Sequence, residues 1–92
     1  MTAPALGSPS ETREAWLAQR ESTAQACSDL ADGLREIAAL IEREIESLAV
    51  RFQPLARVQI AHFQLEADRV NQARDEVLTD PDYIEILSVT RR

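Results

Sequence analysis

Apolar residues recur at steps of three and four positions through most of the stretch from Leu30 to Val77. An α-helix turns by about 100° per residue, so this spacing places the apolar side chains in one stripe along a helix. The intervening residues are largely charged and form the opposite face. A stripe of this length must be buried against another helix, either of the same chain or of a partner. The pattern therefore predicts an all-α fold built on long helices.

Pro54 interrupts this stripe. Proline lacks the backbone N–H and clashes with the preceding turn, at a cost of about 3 kcal/mol inside a helix. The apolar register also changes there, because the upstream phase continues onto the polar residues His62 and Arg69. We therefore expect a reversal of the chain, or a sharp kink, near Pro54. Gly33 is a weaker break, and the stripe passes through it unchanged, so we expect a continuous helix there.

The first helix is predicted to begin at Pro9. Ser8 can accept hydrogen bonds from the free amides, proline suits the first helical position, and Glu11 completes a capping box. The small residues that precede this signal predict a disordered tail. The helix carries Trp16, which either closes the end of a helical bundle or is an exposed aromatic for binding.

A second boundary is predicted at Asp80. It is a suitable N-cap, and Pro81 suits the first position of a new helix. The helix before it is expected to run from about Leu55 to Leu78. The tail is rich in β-branched residues, so a strand is the alternative to a short C-terminal helix. The chain then divides into a disordered N-terminal tail, a helical hairpin, and a short C-terminal helix with its tail, over residues 1–8, 9–79 and 80–92.

A reversal near Phe52 and Gln53 makes the two stripes face each other in a long antiparallel hairpin. The predicted facing pairs are Leu48 with Val58, Ile41 with Leu65, Ile37 with Val70, Leu34 with Ala73, and Leu30 with Val77. So thin a hairpin leaves apolar surface uncovered, and we expect it to complete a helical bundle by self-association, as a dimer or a higher homo-oligomer. The predicted interface consists of the apolar residues Leu34, Ile37, Ile41, Leu48, Ile60, Phe63, Val70 and Val77.

Composition and charge limit the classes of binding partner that we expect. Only 4% of the residues are aromatic and only two are glycine, which suits closely packed aliphatic helices and not a turn-rich sheet fold. The net charge is −6, with sixteen acidic residues against ten basic ones. Phosphate binding needs a clustered basic face, so we expect no nucleic-acid partner and no attraction to anionic membranes. The expected partners are other copies of this chain and another protein.

The sequence offers no catalytic motif and no targeting segment. We find no phosphate-binding loop, no nucleotide-binding glycine motif and no HExxH pattern, so we expect a protein that is not an enzyme. Cys27 lies at helical spacing with Leu34 and Ile41, which predicts a buried thiol. The sequence contains no run of about 20 apolar residues, which is the length needed to span a bilayer. The N-terminus has no basic segment followed by an apolar one. We therefore expect a cytoplasmic protein with no membrane insertion.

One group of residues could hold a metal. The predicted pairing puts Glu44 opposite His62, and Glu66 follows His62 by one helical turn. Two carboxylates and an imidazole are suitable ligands for zinc, iron or manganese. A Glu–His salt bridge, or pairing of Glu44 with Arg51 or Arg57, is the structural alternative. We expect no metal or other cofactor, and the alternative function is a metal-binding, ferritin-like helical oligomer.

The sequence assigns the chain to no family. The stretch between Asp29 and Ala56 resembles the helices that flank bacterial chemoreceptor signalling domains, but it lacks the hairpin tip of that family. The C-terminal segment 87–92 is similar to the short tails that load cargo into protein nanocompartments, but it lacks their glycine and second leucine. The prediction is therefore a non-enzymatic helical module for oligomerisation and protein–protein interaction.

Overall fold

Three α-helices account for most of residues 9–91, the part of the chain that the computed structural model describes. We label them α1 (Pro9–Glu44), α2 (Gln53–Thr79) and α3 (Pro81–Thr90). No strand occurs within residues 9–91. The all-α prediction is confirmed. The tail predicted for residues 1–8 and the cap predicted for Ser8 lie outside the described residues.

Helix α1 is continuous for 36 residues and passes through Gly33 without a break, as predicted. A Cβ built on Gly33 would meet no atom within 4 Å. No close contact therefore requires a glycine at this position. The helix-forming residues on either side keep α1 continuous.

The break between α1 and α2 comes before Pro54 and not at it. Two short 3₁₀ turns, Ile45–Ser47 and Val50–Phe52, are separated by two residues with extended backbone. Side chains stabilise this segment: Ser47 Oγ donates to the Glu44 carbonyl at 2.7 Å, and Gln53 Nε2 donates to the Leu48 carbonyl at 3.2 Å. Pro54 lies in the first turn of α2, where a missing N–H costs nothing.

The boundary between α2 and α3 follows the predicted chemistry. The Asp80 side chain accepts a hydrogen bond from the Asp82 backbone N–H at 2.9 Å, and Pro81 is the first residue of α3. The segment after Pro81 is a helix and not the alternative strand, because this cap and proline start a helix whose apolar side then packs on α1.

Side-chain contacts join later residues of α1 to earlier residues of α2, and earlier residues of α1 to later residues of α2. Arg35 Nη2 lies 3.0 Å from Asp68 Oδ1, whereas the earlier Ser28 accepts from Nη1 of the later Arg74 at 3.2 Å. The molecule is extended, with dimensions of 68 × 30 × 15 Å. Its smallest dimension is close to the diameter of one helix, about 10–12 Å. The helices therefore lie side by side in a single layer.

Apart from Leu17 and Tyr83, the buried residues are alanines, which corrects the predicted pairing of large aliphatic residues. Val58 is 65% exposed and Leu65 is 48% exposed, so neither is a packed partner of the opposite helix. Instead α1 and α2 meet along an alanine seam, formed by Ala24, Ala31, Ala38, Ala56 and Ala67. The distance between packed helices depends on the side chains at the contact. Small alanine side chains let the helices approach closely, and the larger side chains are left at the sides.

Helix α3 packs against the N-terminal part of α1. Leu17 is fully buried there, and the Trp16 and Tyr83 rings lie with their centroids 6.2 Å apart. Trp16 also carries the Arg20 guanidinium 4.8 Å from its ring centroid, and the ring is half-buried and not a fully exposed binding aromatic. The prediction of a buried thiol is wrong, because Cys27 is only half-buried. It lies beside the alanine seam and not on it.

Candidate interaction surface

The alanine seam divides the pair of helices α1 and α2 into two faces. The Arg35–Asp68 ion pair crosses the seam on one side, which we call the polar face. Ala39, Glu42 and Gln64 lie on the same side and surround this pair with mainly polar groups.

The other side of the seam is apolar. On α1, Leu30, Leu34, Ile37 and Ile41 lie between about 100° and 160° around the helix axis from Arg35, at about 100° per residue. On α2, Phe63, Val70 and Val77 lie between about 140° and 180° from Asp68 by the same count. Because the helices run in opposite directions, these rotations carry both sets to the same side of the pair. We call this side the apolar face: Leu30, Leu34, Ile37, Ile41, Phe63, Val70 and Val77.

No residue of the apolar face is fully buried. Leu30 is 55% exposed and Ile37 is 42% exposed, and the other five are half-buried. Since the molecule is one helix layer thick, nothing among residues 9–91 covers this side. Scattered apolar side chains on a surface are ordinary, but a contiguous apolar face is typical of an interaction site.

Between Thr23 and Ile41 of α1 and between Phe63 and Val77 of α2, the apolar face carries one acidic residue. On α1, the side chains on this side from Thr23 to Ile41 include no Asp, Glu or Arg. On α2, Glu66 lies among Phe63 and Val70, and its Oε1 accepts from Arg69 Nη1 at 2.9 Å within the same helix. Glu66 is half-buried and Arg69 is exposed, so the pair lies at the edge of the face.

Six of the eight interface residues predicted from the sequence lie on the apolar face. The two others are elsewhere. Ile60 is half-buried on the polar side, beside Glu42 and Arg57, and Leu48 is exposed in the turn between α1 and α2. Sequence reasoning left Leu30 out of the predicted interface, although it belongs to the same apolar stripe.

Exposed apolar residues also cluster at the turn. Val50 is 80% exposed and Leu55 is 61% exposed, and Phe52 is covered on one side by the Arg51 guanidinium at 4.7 Å from the ring centroid. The sequence indicated a break here but not the exposure of these residues. The exposure arises because α1 ends before them and leaves them no facing helix to pack against.

The proposed metal ligands do not come together. Within residues 9–91, no group of three or more His, Cys, Asp or Glu side chains is placed to hold a metal ion. Glu44 accepts a weak hydrogen bond from Ser47 at 3.4 Å, Glu66 pairs with Arg69, and the exposed His62 ring contacts Phe63 with centroids 5.8 Å apart. By helical rotation Glu44 and His62 each point away from the facing helix, which keeps the two side chains apart.

Comparisons with known proteins name no relative: no family model, no curated protein and no solved structure matches this chain. Among the helices of residues 9–91, none is both long enough and apolar enough to cross a membrane.

Proposed function

We propose that this protein is a non-enzymatic helical module that self-associates through its apolar face and acts by binding another protein. In this proposal α1 and α2 form an antiparallel hairpin. Two or more copies bury their apolar faces together and complete a helical bundle. The observation that carries the proposal is the single helix layer with its uncovered apolar face.

The shape of the chain supports association. Its radius of gyration is 20.4 Å. A compact domain of this length has a radius of gyration of about 12 Å. Two packed layers around one core are the usual solution for helices with an apolar side, and one chain supplies only one of them.

The energetics favour the same conclusion. Fully burying a Leu, Ile, Val or Phe side chain is worth about 1.5–3 kcal/mol relative to leaving it exposed. The alanine seam contributes little of this, because alanine has a small apolar area. The large side chains of Leu30 and Ile37 contribute most of this burial free energy only if a second layer of helices covers them.

The turn is the surface that we assign to a different protein partner. Val50 and Leu55 are both largely exposed there. The turn lies at one end of the chain's long axis, and its exposed residues are not part of the apolar face.

The experiment that tests self-association is a mass measurement by light scattering at micromolar concentration. We expect at least a dimer for the native chain. Ile37→Glu is expected to give a helical monomer, because it places an unpaired charge in the buried interface. Ile37 is part-exposed within one chain, so the variant should still fold, as circular dichroism would verify.

Ala39→Glu is the matched control. Ala39 is exposed on the polar face of the same helix, so the same negative charge should leave the mass unchanged. A native chain that is monomeric and helical at micromolar concentration would contradict the proposal.

A further inference from the structure

We propose that a second copy of this chain covers the apolar face in an antiparallel arrangement, with a twofold axis that crosses α1 between Leu34 and Ile37. In this dimer α1 packs on α1 of the partner, and α2 packs on α2. The inference rests on the proposed self-association and specifies its geometry. A parallel dimer, in which α1 packs on the partner's α2, is the alternative arrangement.

The spacing of the apolar residues on α1 suits an antiparallel copy. Leu30, Leu34, Ile37 and Ile41 are separated by steps of four, three and four, which read the same in both directions. A twofold axis between Leu34 and Ile37 therefore sets Leu34 against the partner's Ile37. It likewise sets Leu30 against the partner's Ile41. Such an interface uses the same patch on both copies, as a twofold interface requires.

The distribution of charge also favours this arrangement. The end of the molecule formed by residues 9–29 and 73–91 carries nine Asp or Glu against four Arg. Residues 42–57, around the turn, carry three Glu against three Arg. A parallel dimer would place two strongly acidic ends side by side, which is unfavourable because like charges repel. An antiparallel dimer keeps the acidic ends apart and brings the neutral turn of each copy alongside the partner.

Only in the antiparallel dimer does Glu66 meet a basic residue of the partner copy, in addition to Arg69 of its own helix. The Arg35–Asp68 contact shows which parts of α1 and α2 lie side by side. The proposed axis therefore crosses α2 close to Asp68, between Glu66 and Arg69. An antiparallel copy then brings Glu66 beside the partner's Arg69, and the symmetric pair forms as well. A parallel copy would instead place Glu66 on the aliphatic stripe of α1, where a carboxylate is costly.

Reversing the charge at one of the two positions, and then mixing the two variants, tests this pairing. Glu66→Arg leaves two arginines at these positions, and Arg69→Glu leaves two glutamates. Each variant alone is expected to dimerise about tenfold more weakly or worse, because two like-charged contacts form across the axis. An equimolar mixture of the two variants should recover the native dimer affinity, since each copy then meets opposite charges.

The mixing result separates contacts between copies from the Glu66–Arg69 contact within one helix. If the pair acted only within one chain, both variants would stay impaired after mixing, and the antiparallel proposal would fail. Both side chains are part-exposed in the single chain, so the variants are expected to keep their helices.

A disulfide measurement provides a second test. In a Cys27→Ala background, Ile37→Cys places a thiol within two residues of the axis, and mild oxidation should link most of the dimer covalently. The unsubstituted chain is the control, because two Cys27 residues would lie about 25 Å apart along the helices at 1.5 Å per residue.

The mass of each sample is measured in parallel. A native dimer without the Ile37→Cys cross-link overturns the antiparallel axis but leaves self-association standing. A monomeric native chain overturns both.

Discussion

The Arg91 guanidinium contacts the Glu14 carboxylate through two parallel hydrogen bonds, Nε to Oε1 and Nη2 to Oε2, each 3.0 Å long. Glu21 accepts a further hydrogen bond from the same guanidinium, and Arg13 Nε donates to Thr90 Oγ1 at 3.2 Å. Bidentate contacts between arginine and a carboxylate are stronger and more directional than single ones. They join the last turn of α3 to the first turns of α1, residues 77 positions apart in the chain.

These contacts predict that α3 loosens at acidic pH. The hydrogen bond from Arg91 lowers the pKa of Glu14 below its ordinary value of 4.5. A carboxyl group with a lowered pKa stabilises the folded state fully above its unfolded-state pKa and loses this contribution as the pH falls through the folded-state pKa. We therefore expect α3 to stay docked at pH 7 and to loosen below about pH 4.5.

Trp16 reports this change, since it is the only tryptophan and lies against Tyr83. Its fluorescence should shift as α3 loosens during acid titration. Glu14→Gln should weaken docking already at pH 7 and flatten the acid transition. If Glu14→Gln left the titration curve unchanged, the Arg91 contact would not hold α3.

The alanine seam predicts a large penalty for a bigger side chain. Ala31 is fully buried between α1 and α2. Ala31→Leu should reduce the free energy of unfolding by about 1–3 kcal/mol, because the helices must move apart to accommodate it. Ala18→Leu on the exposed side of α1 is the control and should change stability by less than about 0.5 kcal/mol. Thermal unfolding followed by circular dichroism measures both. Equal effects of the two substitutions would show that the seam is not tightly packed.

Gly33 predicts a stabilising substitution. A Cβ at this position meets open space, and the residue lies in the interior of α1. Gly33→Ala should therefore stabilise the protein by about 0.5–1 kcal/mol, through the lower backbone entropy of the unfolded chain. The reverse substitution at an exposed site of the same helix, Ala39→Gly, should destabilise it by a similar amount. A destabilising Gly33→Ala would indicate that something approaches the glycine closely in the assembled protein.

The separation of Glu44, His62 and Glu66 predicts that metal does not determine stability. A chelator should leave the melting temperature unchanged, because a ligand stabilises a protein only by binding its folded state. His62→Gln should change the free energy of unfolding by no more than about 0.5 kcal/mol, as is usual for an exposed side chain. A stoichiometric transition metal that is lost in His62→Gln, together with a melt that depends on chelator, would make this a metalloprotein.

The helix boundaries were predictable where their causes are local. Asp80 and Pro81 end one helix and start the next through a side-chain cap and a missing N–H, and both effects act within a few residues. Continuity through Gly33 was also predictable, since one glycine costs about 1 kcal/mol and the neighbouring residues favour helix. The position of the turn was not, because it is made by hydrogen bonds from Ser47 and Gln53 that no sequence period reveals.

The sequence by itself determined that the chain is helical and that its helices have an apolar side. The tertiary structure decided which part of that side faces the neighbouring helix. Ala31 and Leu30 are adjacent in sequence and lie about 100° apart around α1, so a modest rotation exchanges one for the other at the contact. Alanine at the contact allows the close approach of α1 and α2 and leaves Leu30 and Ile37 exposed. Hydrophobic periodicity is the same for both rotations, and only the packing of the two helices distinguishes them.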